Sequence, residues 1–206
     1  MPAPSTLALF ALAALALIAI PGPNMVYVAT RSMSEGRRSG FASALGLLTG
    51  TLINVGAAAA GLSALIASSA AAFNTLRYLG AAYLVFLGVK ALIGRDTRDP
   101  GAPPRRVSLA RAYRQAIVVQ LLNPKVALFF LAFLPQFVDP ALGPVATQVL
   151  VLGAILGSLG FAMDCGYAIA AGAAAKRLGG FRHGRQVAGA VYLALGAAAA
   201  LTGGRR

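Results

Sequence analysis

Two proline breaks and one carboxylate are the parts of this sequence with chemistry to offer. Pro21-Gly22-Pro23-Asn24 interrupts an apolar run that begins near residue 5. Neither proline has a backbone donor and the glycine between them adds freedom, so the helical ladder fails there. Inside lipid such a break is tolerated only where protein packs it or where it lines a wet cavity. It also starts a new helix near Asn24, whose unpaired N–H groups suit a carboxylate. Asn123-Pro124-Lys125 makes a corresponding break in a later apolar run. Lys125 there either neutralises an anionic group or snorkels to the interface. The alternative for each break is a kink that only shapes packing.

Asp164 is the only acidic residue well inside an apolar stretch, about two turns from its expected cytoplasmic end. Placing a bare carboxylate there costs a few kcal/mol. It therefore snorkels, pairs with a nearby arginine, or carries a proton. Thr51 and Asn54 on an earlier apolar run either line the same cavity or hydrogen-bond between helices. Cys165 is the only cysteine, which excludes an intramolecular disulfide, a CxxC pair and a thiolate metal site. His183 stands alone in a basic stretch. There is no nucleophile elbow, no HExxH and no phosphate-cradling glycine loop, so an enzyme is disfavoured and no metal or cofactor is expected.

The elements that must hold these residues are membrane helices. Of 206 residues 58% are hydrophobic and only 11% charged, and the mean hydropathy is +0.76. A soluble domain carries roughly 25% charged residues, so most of this apolar surface must face lipid or other helices. The apolar stretches run continuously for about 20 residues without alternating, which implies helices and not a barrel. About six segments are expected, near residues 5–30, 41–66, 72–93, 113–138, 145–171 and 187–203. The first is read as a retained span, since no Lys or Arg precedes it and it is long.

The net charge of +13 raises the question of nucleic acid, and its placement answers it. Arg31, Arg37 and Arg38 form one group. Arg95, Arg98, Arg105, Arg106, Arg111 and Arg114 form a second, and Lys176, Arg177, Arg182 and Arg185 a third. The connections near Ser68-Ser69 and Asp139-Pro140 carry no Lys or Arg. Alternate-loop charge is the positive-inside pattern. A nucleic-acid face would gather its charge on one polar surface with stacking aromatics. The basic loops are expected inside, against anionic lipid headgroups, with both termini outside. Arg205 and Arg206 conflict with that side, and a five-span topology is the alternative.

Residues 94–111, rich in proline and charge, are the one evident linker within a single transmembrane domain spanning 1–206, with repeat one at 1–93 and repeat two at 112–206. The halves resemble one another. Gly46-Leu-Leu-Thr-Gly50 is echoed by Gly153-Ala-Ile-Leu-Gly157, Gly80-Ala-Ala-Tyr83-Leu by Gly189-Ala-Val-Tyr192-Leu, and the first proline break by the second, in the same order. Three crossings per copy put the second copy in upside down. The expected fold is thus an all-α bundle of two inverted three-helix repeats, the first helix of each broken at proline, with a site near the midplane. The GxxxG pairs let helix backbones approach closely.

Pro21-Gly-Pro-Asn24, the Arg-Ser-x-Ser-x-Gly-x-Arg run from Arg31 to Arg38, Arg77-Tyr-Leu-Gly-Ala-Ala-Tyr-Leu84 and Leu122-Asn-Pro-Lys125 followed by Phe133-Leu-Pro-Gln-Phe137 together resemble the LysE/RhtB family of bacterial amino-acid exporters, over nearly the whole chain. The resemblance implies a multi-pass protein of the bacterial plasma (inner) membrane that exports amino acids or their derivatives by proton antiport. Two departures stand out. Many members carry an acid just after the glycine matching Gly50, where this chain has Thr51, and the acid of the fifth helix often falls near the position of Gly160, one turn before Asp164. On this reading Pro21, Gly22, Pro23, Asn24, Asn54, Asn123, Pro124 and Lys125 form the substrate site and Asp164 couples protons. The substrate carboxylate is expected to meet the half-helix N-terminus at Asn24, with Lys125 as a further partner, and its ammonium to meet Asp164 with help from Asn54. Rival readings are a same-fold exporter of another small metabolite or toxic analogue, and a membrane scaffold whose prolines and Asp164 are structural. Which amino acid is carried, and whether the chain forms a homo-oligomer, are left open.

Overall fold

The structure is a computed structural model that describes residues 2–20, 22–61, 108–123, 125–126 and 129–177, with isolated positions between 75 and 93 and between 190 and 197. Most of the third and sixth apolar segments and of the linker, with Arg182 and Arg185 of the third basic group, lie outside the described residues, as do Pro21 and Pro124. The described residues are helical, with no strand among them.

Helix α1 spans Pro4–Ala19, its proline at the first turn where a missing N–H costs nothing. It stops where Ile20 and Gly22 turn extended, and α2, Pro23–Glu35, begins on Pro23. The two helices are bent by 58° across this break. Gly36, at φ 93°, is the single residue between α2 and α3, Arg37–Ala59, a conformation only glycine adopts cheaply. The first basic stretch, expected as a loop, is therefore the end of one helix and the start of the next. Arg31 sits within α2, paired with Glu35 and donating to Gln115 Oε1. Its guanidinium lies 5.3 Å over the Tyr27 ring. Balanced by Glu35 and contacted by Gln115 and Tyr27, Arg31 can remain in the helix, which loop-counting of charge does not anticipate.

Helix α4, Leu109–Leu121, starts inside the stretch read as linker, where the Ser108 side chain accepts from the Arg111 N–H at 3.3 Å. It ends just before Asn123-Pro124, as expected for residues leading into proline. Beyond it come a π-helical turn, Phe129–Phe133, and a 3-10 turn, Leu134–Phe137. Buried Gln148 then ties down the following turn, donating to the carbonyls of Asp139 at 2.7 Å and Gly143 at 3.0 Å. Helix α5, Val145–Arg177, is 33 residues long, about 50 Å at 1.5 Å per residue. It outruns the segment expected from hydropathy because the Ala/Gly-rich end carries the helix on through Lys176. Asp164 is consequently near its middle, about 20 Å from the Arg177 end, not two turns from it.

Among the described residues two helices, α3 and residues Val145–Ala175 of α5, are long and apolar enough to cross a membrane, and the bent α1–α2 pair makes a third if it is one span. Helix α3 packs along both α4 and α5, α2 fits against α3, α4 and α5, and α1 lies on α5. The first glycine pair faces α4: a Cβ at Gly46 would stand 2.2 Å from the Tyr113 carbonyl oxygen, and one at Gly50 2.6 Å from Gln120 Cβ. Gly153 and Gly157 face α3, against Val55 and Leu48. Leu9, Leu12, Leu52, Ile53, Leu150 and Ile169 point outward, exposed, as lipid-facing side chains do. Inside are two apolar clusters. One joins Tyr27, Val28, Leu47, Ala116, Val119 and Ala168; the other gathers Phe10, Ala14, Val55, Phe129, Phe130 and Leu134 with Val149, Leu152 and Leu156.

Candidate functional site

A cavity of about 700 Å³, mouth included, opens between these clusters, with Phe129 and Leu156 of the second and Tyr167 beside the first on its wall. Its polar lining is Asn24, Thr51, Gln120, Asn123, Lys125 and Asp164; its apolar wall includes Leu17, Ile18, Leu48, Phe129, Leu156 and Phe161.

The helix breaks are what place these groups together. At the first break α2 starts with Gly22 as its N-cap and no capping side chain. Pro23 brings no N–H, so the first donors of α2 belong to Asn24 and Met25, both on the cavity. At the second, the turn after α4 brings Asn123 across to α2. Its Nδ2 donates to Asn24 Oδ1 at 3.0 Å, and its Oδ1 accepts from the Lys125 N–H at 3.1 Å. Asn24 Nδ2 in turn donates to Gln120 Oε1 at 2.6 Å, and Gln120 Nε2 to Thr51 Oγ1 at 2.6 Å. Thr51 Oγ1 donates to the Leu47 carbonyl at 3.0 Å. Helices α2, α3 and α4 are thereby joined at the cavity through side chains.

The two charged groups sit differently. Lys125 Nζ donates to the Ile20 carbonyl at 2.7 Å, a cation satisfying the C-terminal end of α1. Its stem passes Gly22, where a Cβ would stand 3.8 Å from Lys125 Cδ. Asp164 is buried, 8% exposed, and no described residue makes a hydrogen bond or ion pair with it. Among the described residues no three of His, Cys, Asp and Glu gather to hold a metal.

Of the residues singled out from sequence, Gly22, Asn24, Asn123, Lys125 and Asp164 line this cavity together with Thr51. Pro23 opens α2 without being part of the lining, and Asn54, half-buried near the end of α3, is not part of it either. Pro21 and Pro124 lie outside the described residues. Gln120, 4% exposed and bonded on both sides, was missed. Its signal was a lone amide in an apolar run, three residues before Asn123 and so on the same helical face.

A model of the LysE type translocator family matches residues 15–203. An uncharacterized membrane protein of Pseudomonas aeruginosa is 37% identical over 145 residues, 68% of this chain and 67% of that protein. A leucine efflux protein of Salmonella typhimurium is 32% identical over 149 residues, covering 72% and 70%, and one of Enterobacter sp. is 33% identical over 150 residues, covering 70% and 69%. No solved structure matches the chain.

Proposed function

The chain belongs to the LysE type translocator family, a multi-pass membrane transporter and not an enzyme, and from that premise we propose that it is a secondary active exporter of amino acids from the cytoplasm. The observation that carries the reading is the cavity between the two clusters. It has a buried carboxylate on one wall, a helix N-terminus and carboxamides on another, and aliphatic and aromatic side chains between. An α-amino acid has the complementary parts: an ammonium for Asp164, a carboxylate for the start of α2, and a side chain for the apolar wall. That wall, and the leucine efflux proteins among the relatives, favour an aliphatic amino acid. Competition between a proton and the substrate ammonium for Asp164 would couple the two fluxes. Residues 1–206 act as one domain of two inverted three-helix repeats in the bacterial inner membrane, exposing the cavity alternately to either side.

The test is efflux from cells loaded with leucine-containing peptides. Cells making the protein should release leucine several-fold faster than cells without it, and equal release overturns the proposal. The topology is tested separately. With Cys165 replaced by Ala, a cysteine introduced just after Arg106 is expected to react only with reagents that reach the cytoplasm; labelling from outside reverses the assignment.

A further inference from the structure

We infer that the substrate carboxylate is read by three carboxamides, Asn24, Gln120 and Asn123, whose orientation is locked so that each offers a free N–H to the cavity. This deepens the export reading and rests on it.

The lock follows from the two ends of the hydrogen-bond chain. At one end the Lys125 backbone N–H can only donate, so Asn123 must turn its oxygen there and its NH₂ toward Asn24. Asn24 must then accept with Oδ1 and present its own NH₂ to Gln120 Oε1. Gln120 is left with its NH₂ toward Thr51. At the other end the Leu47 carbonyl can only accept, so the Thr51 hydroxyl spends its proton there and must accept from Gln120. Both ends, argued independently, fix the same direction. Amide orientation is ordinarily ambiguous; here a backbone donor and a backbone acceptor remove the ambiguity, and no amide can flip without breaking two bonds.

Each carboxamide has two N–H donors and the chain uses one of each. Among the described residues nothing takes the second, although Gln120 and Asn123 are both 4% exposed and all three residues line the cavity. Buried donors left over in this way are costly unless a ligand or water accepts from them. Lys125 is the obvious competitor for a carboxylate; its ammonium gives one of its three donors to the Ile20 carbonyl, which directs it toward the end of α1. The cradle's three carboxamides are neutral, and the donors they leave over favour an anionic or carbonyl oxygen pair. They disfavour a primary carboxamide, which would bring an NH₂ of its own against these donors.

The experiment compares leucine with leucinamide as competitors in proteoliposomes. The wild type is expected to favour leucine by about tenfold or more, since each unmade hydrogen bond to a buried group costs of that order. Gln120→Glu keeps length and shape, yet protonated or not it has no spare N–H. It should weaken leucine about 10–100-fold and leucinamide much less, so that the ratio collapses. If Gln120→Glu does not fold, Thr51→Val replaces it. Without the hydroxyl Gln120 is free to turn, and the leucine-to-leucinamide ratio should fall about 3–10-fold. A folded variant with an unchanged ratio overturns the inference while leaving export standing. A wild type that moves no leucine overturns the export reading and the cradle with it.

Discussion

Asp164→Asn is expected to give a folded protein whose flux no longer responds to an imposed pH gradient. A lone carboxylate among apolar helices must either pair permanently or exchange what neutralises it. Permanent pairing predicts that asparagine destabilises the fold, because a buried cation is left uncompensated. Among the described residues no cation pairs with Asp164: Lys125, on the same cavity, donates to the Ile20 carbonyl, and Arg31 is paired with Glu35. Asparagine has the size of aspartate and removes the burden of a charge at a site 8% exposed. A thermal melt of the variant should therefore match the wild type or exceed it. In proteoliposomes, gradient-driven leucine flux should fall to the level of protein-free vesicles, while leucine-for-leucine exchange survives in part. Undiminished gradient-driven transport would remove Asp164 from the mechanism.

The geometry adds a rescue to this test. Gly160 is one turn before Asp164 on the same cavity, and a Cβ there meets nothing within 4 Å. Gly160→Asp in the Asp164→Asn background should thus return a measurable fraction of the pH-dependent flux. A repacking defect would gain nothing from a second carboxylate, so recovery separates loss of a titrating group from loss of shape.

What sequence could and could not foresee here divides along physical lines. The 58° break at residues 20–22 and the end of α4 before Asn123-Pro124 were legible because proline acts locally: it removes a donor whatever surrounds it. The glycine faces were legible for a similar reason, since spacing of four puts two glycines on one helix side. The placement of Gly22, Asn24, Asn123, Lys125 and Asp164 on one cavity followed from those breaks. Arg31 was expected in a loop because positive-inside counting looks only at charge between apolar runs, whereas within α2 Glu35 balances its charge and Gln115, far away in sequence, and Tyr27 contact its guanidinium. Gln120 escaped notice for a related reason. A single glutamine in VVQLLN has no meaning until Thr51 and Asn24 arrive from two other helices. The boundaries of α5 were short because hydropathy falls toward Lys176 before helicity does. Local rules gave the joints; long-range pairing decided which polar groups meet on the cavity.

The largest stability effect is expected at Gly46, and it bears directly on how the cavity is held. A Cβ added there would lie 2.2 Å from the Tyr113 carbonyl oxygen and 2.7 Å from Ala116 Cβ, and neither atom can swing aside as a flexible side chain would. Relief requires α4 to move away from α3 by more than an ångström. The same α4 carries Gln120, which is bonded to Thr51 on α3 and Asn24 on α2 at 2.6 Å each, so displacement that size breaks the polar chain along with the packing. Gly46→Ala should cost about 1–3 kcal/mol as overpacking does, set against a gain of roughly 1 kcal/mol in helix propensity, and Gly46→Val should cost distinctly more. Gly56 is the control on the same helix: nothing lies within 4 Å of a Cβ there, so Gly56→Ala should be neutral or slightly stabilising. Melting temperatures of the three variants in detergent, with leucine efflux measured beside them, decide the matter. A lowered melting temperature and lost efflux for Gly46→Val, with both retained for Gly56→Ala, would tie the cavity's polar chain to close contact between α3 and α4. If Gly46→Val melted and exported like the wild type, that contact could not be what holds Gln120 in place.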